Sequence, residues 1–182
     1  MLFKLLNHYK IRVLVALTIV IAIIASRGEK HTLQIILTLA GGLLGMLIPD
    51  IEYFVHSYWD NPDSEFSKGF KDLMNQKNFQ GLFTYVNAHK HLLSKRVMHS
   101  VLFQIILGGI TLFLATSQGP AFGTALSLSA FTQTFYLMYQ EVSETNSINT
   151  WFWILKSTPT RTWQGIYATC MGLFLIAILV AL

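Results

Sequence analysis

Apolar residues gather into five blocks along the chain, at about 5–26, 32–49, 97–116, 121–140 and 163–182, with polar stretches between them. Blocks of about 16 to 22 residues suit a bilayer, because roughly 20 residues at a 1.5 Å rise cross a hydrocarbon core about 30 Å thick. A soluble core spreads its apolar residues over amphipathic faces instead. The pattern predicts an all-α, polytopic membrane helical bundle of about five spans, forming a single integral membrane domain over 1–182.

Within the polar insertion 51–96, hydrophobic positions recur at helical spacing. Asn61-Pro62 reads as a cap with proline at the first helical position, followed by acidic Asp63 and Glu65 in the first turn. Phe66, Phe70, Leu73 and Met74 then share a face, and Asn78 caps a second helix on which Phe79, Leu82, Phe83 and Val86 repeat the spacing. Two amphipathic helices of this kind lie in the headgroup layer or cover the cytoplasmic ends of the spans. Pro49 predicts a kink or an end to the second span, Ser94 an N-cap for the third, and Thr158-Pro159-Thr160 a turn before the last. Trp151-Phe152-Trp153 reads as an interfacial cluster and Tyr53, Tyr58 and Trp59 as interface anchors. Gly41-Gly42 with Gly45, Gly108-Gly109, and Gly119 with Gly123 mark close approach between helices.

The composition agrees: 53% hydrophobic and 12% charged over 182 residues, with a mean hydropathy of +0.49, lies outside the usual range for a soluble domain. The first block, with Lys4, Lys10 and Arg12 before an apolar run and Ala25-Ser26 after it, also fits a signal peptide. Its length, and the second block close behind it, favour a membrane anchor. Lone Cys170 excludes a disulfide framework and reads as a small hydrophobe.

Basic residues fix the orientation, because insertion retains them on the cytoplasmic side. Across five spans one side receives Lys4, Lys10, Arg12, Lys68, Lys71, Lys77, Lys90, Lys95, Arg96, Lys156 and Arg161, and the other only Arg27 and Lys30. The expectation is an inner-membrane, multi-pass protein with a cytoplasmic N-terminus. Its net charge of +4 follows from basic flanks beside anionic headgroups. With no basic run interleaved with aromatics, no zinc-finger spacing and no helix-turn-helix signature, nucleic acid is not an expected partner.

Ionisable residues at membrane depth cost a few kcal/mol each unless partnered or wet. Asp50 and Glu52 follow Pro49 at the cytoplasmic end of span two, with His56 one turn beyond Glu52; His99 begins span three; Glu141 and Glu144 close span four. In an unbroken helix Asp50 points roughly 160° away from Glu52. Carboxylates and imidazoles gathered at one depth suit a divalent ion that polarises a phosphoryl or acyl group. Interfacial acids and histidines also occur where spans simply meet water, and that is the ordinary reading for any one of them. His89 and His91 read as exposed or interfacial, and His8 and His31 as flanking residues.

The run from Leu43 to Glu52, with Gly45, Pro49, Asp50 and Glu52 at its marked positions, resembles the Gly-x-x-x-Pro-Asp-x-Asp-His segment of the YdjM-like inner-membrane metal-dependent hydrolases. Arg96-Val97-Met98-His99-Ser100 is similar to their second motif, a basic residue followed by Thr-His-Ser. Glu52 stands where that family has its second Asp, and Tyr53 where it has His. A third motif, His-x-x-x-Asp, falls on Phe135 and Tyr139, or in a shifted frame on Gln140 and Glu144.

The resemblance implies a hydrolase acting on a lipid or phosphorylated substrate at the cytoplasmic face. One Zn, Mn or Mg ion would be held by Asp50, Glu52, His56 and His99, with Glu141 or Glu144 as fourth ligand or general base and Ser100 orienting substrate. The alternative is a catalytically degenerate scaffold or interaction protein of the same fold. A channel or transporter ranks behind both, since Gln104, Thr111, Gln133 and Thr134 are too few to line a path. No nucleophile constellation, P-loop or dinucleotide fingerprint is visible.

Overall fold

The computed structural model describes residues 2–93, 96–117, 119–155 and 158–182, and the side chains of all of these but 2–9 and 91. Among them the chain forms seven α-helices and no strand. Helix α1 is Leu2–Arg27, and α2 is Thr32–Val55, prolonged by a π-helical turn at His56–Asp60. The insertion supplies α3, Glu65–Asn75, and α4, Phe79–His89. Helices α5, Val101–Thr116, α6, Ala121–Thr145, and α7, Arg161–Val180, complete the bundle.

Two helical stretches, Thr32–Asp60 and Arg161–Val180, are long and apolar enough to cross a membrane. Helix α5 is apolar but, with 16 residues, reaches about 24 Å, short of a core about 30 Å thick. Polar residues of the bundle point inward: Thr38, Gln104, Thr111, Thr124, Ser129, Gln133 and Thr134 are fully buried. Large hydrophobics point outward, among them Ile21, Leu33, Leu102, Phe113, Leu173 and Ile176. Water would reverse this sorting, and an apolar surface of this extent marks a contact with lipid or protein.

Helix α2 packs most extensively on α6, and glycine sets the distance. A Cβ at Gly41 would lie 2.4 Å from the Phe122 carbonyl oxygen, and one at Gly45 2.2 Å from that of Leu126. Backbone therefore meets backbone, the arrangement that small residues four apart allow. Ser129 Oγ donates to the Gly42 carbonyl at 2.7 Å across the same seam. Against α6 lie α5 and α7, through Leu107, Leu128, Phe131 and Ile178.

Several local expectations are corrected. The first insertion helix begins not at Asn61-Pro62 but at Glu65, because Ser64 Oγ accepts from Ser67 N at 3.1 Å while Asn61 closes the π-helical turn. Asn78 does cap the second helix, accepting from Gly81 N at 2.9 Å. Phe66, Phe70, Leu82 and Val86 pack on Tyr53, so the α3–α4 pair covers the end of α2; Phe79 stays exposed. Pro49 neither ends the helix nor interrupts it, since α2 runs on past it. Residues 97–100 precede rather than open α5, whose cap is Ser100; Ser94 lies outside the described residues. Tyr53, Trp151 and Phe152 are buried rather than interfacial, whereas Tyr58 and Trp59 are exposed.

Replacing Gly45 by Val should force α2 and α6 apart and lower stability by about 1–3 kcal/mol, the usual cost of overpacking. Gly109→Ala, where nothing lies within 4 Å of the added Cβ, should be neutral or slightly stabilising. Unfolding in mixed detergent micelles measures both, and equal effects would refute the tight seam.

Candidate functional site

The site lies where α1, α2 and α6 meet beneath the α3–α4 cover. Arg12 is counted in the sequence as a basic flank, yet here it is buried. Its Nη1 donates to both Asp50 oxygens, at 2.9 and 3.2 Å, its Nη2 to the Met46 carbonyl at 2.8 Å, and its Nε to Gln133 Oε1 at 3.2 Å. Gln133 Nε2 returns a bond to the Arg12 carbonyl at 3.0 Å. One guanidinium thus ties three helices together, and its planar set of donors is what makes that reach possible.

A second group forms around residues 96–100. Glu52 is buried, with one oxygen 2.6 Å from His99 Nδ1 and the other accepting from Met98 N at 3.0 Å. The imidazole packs edge-on against Trp151 and tilts across Tyr53, with ring centroids 5.7 and 6.0 Å away. Ser100, expected to orient substrate, caps α5 by accepting from Phe103 N and donating to the Val97 carbonyl at 2.6 Å.

The third group centres on Glu141. It accepts from Arg96 Nη2 at 2.9 Å, from Trp151 Nε1 at 3.1 Å and from the Thr150 hydroxyl. Trp153 Nε1 donates to the Arg96 carbonyl at 2.9 Å, which explains why this aromatic cluster folds inward. Burial by itself would raise the Glu141 carboxyl, but the Arg96 charge and the three hydrogen bonds outweigh it, and the group is held below the ordinary carboxylate range. Glu144 lies further out, bridged by Lys90 Nζ at 2.8 Å and by Gln140.

Asp50, His99 and Glu141, all expected at the site, line a cavity of about 210 Å³. Glu52 stands behind His99. His56 turns away from Glu52 to Asp60, at 3.0 Å on the π-helical turn. Among the described residues, no three His, Cys, Asp or Glu side chains are grouped closely enough to hold a metal ion. Sequence reasoning missed Arg12, Lys90 and Arg96 as members of the site, although the need of each buried acid for a partner and the presence of three bases at the same depth pointed to them.

No protein-family model, curated protein or solved structure matches the chain.

Breaking the Arg12 pair should leave a buried charge alone, so Arg12→Met and Asp50→Leu should each cost about 3–5 kcal/mol, while the double variant should cost far less than their sum. A double-mutant cycle on unfolding midpoints reads this directly, and additive costs would contradict the pairing. The Glu141 carboxyl is depressed in the folded state, so its stabilisation is present above the unfolded carboxylate range and is lost as pH falls through the lowered value. Glu141→Gln should accordingly flatten the acid limb of a stability–pH profile, and an unchanged limb would rule out this linkage.

Proposed function

We propose that this chain is a multi-pass inner-membrane protein with a cytoplasmic N-terminus, of YdjM-like architecture, in which the acidic motif serves as a set of inter-element ion pairs and the site binds rather than hydrolyses. The observation that carries the reading is the pairing itself. Asp50 meets Arg12, Glu52 meets His99, Glu141 meets Arg96 and Glu144 meets Lys90, each pair joining different elements. Carboxylates committed in this way hold helices in register, which suits a membrane scaffold or binding protein. The outward hydrophobics and inward polar residues support lipid around the bundle, and the one-sided distribution of Lys and Arg supports the orientation.

A metal-dependent hydrolase is the second reading, and one observation favours it: a buried carboxylate touches His99 beside the cavity that Asp50 and Glu141 also line. Metal content separates the two. After gentle purification with Zn, Mn and Mg supplied, the ion-pair reading expects far less than one equivalent, and Asp50→Ala and His99→Ala should lower stability without changing metal. Retention of about one equivalent, lost in both variants, would favour the hydrolase.

Topology is tested independently by reporter fusions, which should place 51–96 in the cytoplasm and the C-terminus outside. A periplasmic signal from 51–96 would overturn the orientation.

A further inference from the structure

Among the described residues, every cation that lines the cavity beneath α3 and α4 is matched by a carboxylate: Arg12 by Asp50, Arg96 by Glu141 and Lys90 by Glu144. The lining amides are engaged as well. Asn87 Nδ2 donates to the Phe83 carbonyl at 3.0 Å, and Gln140 Nε2 to Glu144 at 2.8 Å. A charged molecule entering here would have to displace a partner already in place, and breaking a buried pair is costly. An uncharged one would not.

Two buried lining residues keep hydrogen-bonding capacity. Tyr53 is 9% exposed, and its hydroxyl has no partner among the described residues, although a buried phenol ordinarily finds one. His99, 3% exposed, engages Glu52 through Nδ1 at 2.6 Å and keeps Nε2 without a partner among the described residues. An ionised Glu52 can only accept, so the hydrogen of a neutral imidazole lies on Nδ1 and Nε2 is an acceptor. The two rings lie 6.0 Å apart between centroids, within the span of one small molecule. The rest of the wall is apolar and rich in rings, with Phe54, Phe70, Phe83 and Tyr136 beside Leu82 and Val86. At about 210 Å³ the space exceeds the roughly 150 Å³ that takes benzene and falls short of the roughly 300 Å³ at which drug-sized sites begin. An occupant is therefore limited to one ring and a short substituent.

Resting on the reading that this site binds rather than hydrolyses, we infer that the cavity takes a small uncharged phenol, its ring among the phenylalanines and its hydroxyl accepting from Tyr53 Oη and donating to His99 Nε2. Wild-type protein in detergent micelles is titrated with para-fluorophenol and followed by fluorine NMR against empty micelles. A saturable bound resonance should appear and be displaced by unlabelled phenol. Tyr53→Phe should weaken para-fluorophenol roughly three- to tenfold, the worth of one hydrogen bond, while leaving the affinity for fluorobenzene and the unfolding midpoint unchanged. The charged analogue para-fluorobenzoate should give no saturable signal. Val86→Trp, which fills the space, should abolish binding while circular dichroism stays unchanged.

Absence of a saturable para-fluorophenol signal, or para-fluorobenzoate bound as tightly, would overturn the proposal. So would para-fluorophenol affinity that is unchanged in Tyr53→Phe, or that falls there no further than fluorobenzene affinity, since the hydroxyl would then contribute nothing. If Val86→Trp fails to fold, the Tyr53→Phe comparison decides alone. Metal content separates the two levels of the argument. Protein that holds neither metal nor phenol refutes the ligand assignment alone, whereas one equivalent of retained metal refutes the binding reading beneath it.

Discussion

A guanidinium buried at the end of an apolar bundle persists only where other groups replace its water, and Arg12 obtains them from three directions. Asp50 supplies the countercharge from α2, Met46 a carbonyl from the same helix, and Gln133 an amide oxygen from α6. The geometry works only if α2 and α6 lie close enough for side chains on both to reach one point. The glycines at 41 and 45 grant that closeness by bringing backbone against backbone. Packing and electrostatics are therefore one constraint here: a wider seam separates Gln133 from Asp50 and leaves the charge of Arg12 poorly satisfied.

The same requirement shapes the segment before α5. Residues 96–100 contribute no helical hydrogen bonds of their own until Ser100 caps α5, and their polar groups find partners on both sides. Met98 N and His99 go to Glu52 on α2, while Arg96 goes to Glu141 on α6 and its carbonyl to Trp153. This short linker is pinned between two helices, and the pinning draws the aromatic residues after α6 inward, so that Trp151 packs on the His99 ring. The cavity lies above this floor, covered by the apolar faces of α3 and α4, whose Phe66 and Phe70 rest on Tyr53 and Phe54.

What the sequence made legible was local or periodic. The apolar blocks correspond to the long helices, Phe66 and Phe70 share the buried face, and Asn78 caps α4, because helical spacing and capping chemistry act within one turn. The errors came from choices that neighbours decide. Asn61 and Ser64 are both good caps, and the π-helical turn that consumes Asn61 is not visible in composition. A tryptophan beside a span looks interfacial until its N–H finds Glu141 from ten residues away in the chain. Arg12 and Gln133 lie 121 residues apart, and no local signal distinguishes a basic flank from a buried cation. Depth along the chain singles out Asp50, Glu52, Glu141 and Glu144 but not their partners, since which base meets which acid depends on tertiary packing.

Asp50 is where the competing roles for these acids meet. A metal site and an ion-pair latch draw on the same oxygens, and both Asp50 oxygens here accept from Arg12 Nη1. A divalent ion bound at Asp50 would sit beside a buried guanidinium, adding like charge to the neighbour that the carboxylate now neutralises. Metal affinity at that position thus carries the cost of unpairing Arg12, which for a buried pair amounts to about 3–5 kcal/mol, or roughly two to four orders of magnitude in affinity. Glu141 meets the same difficulty at Arg96. The arrangement of bases, more than the identity of the acids, sets what a metal would cost at these positions.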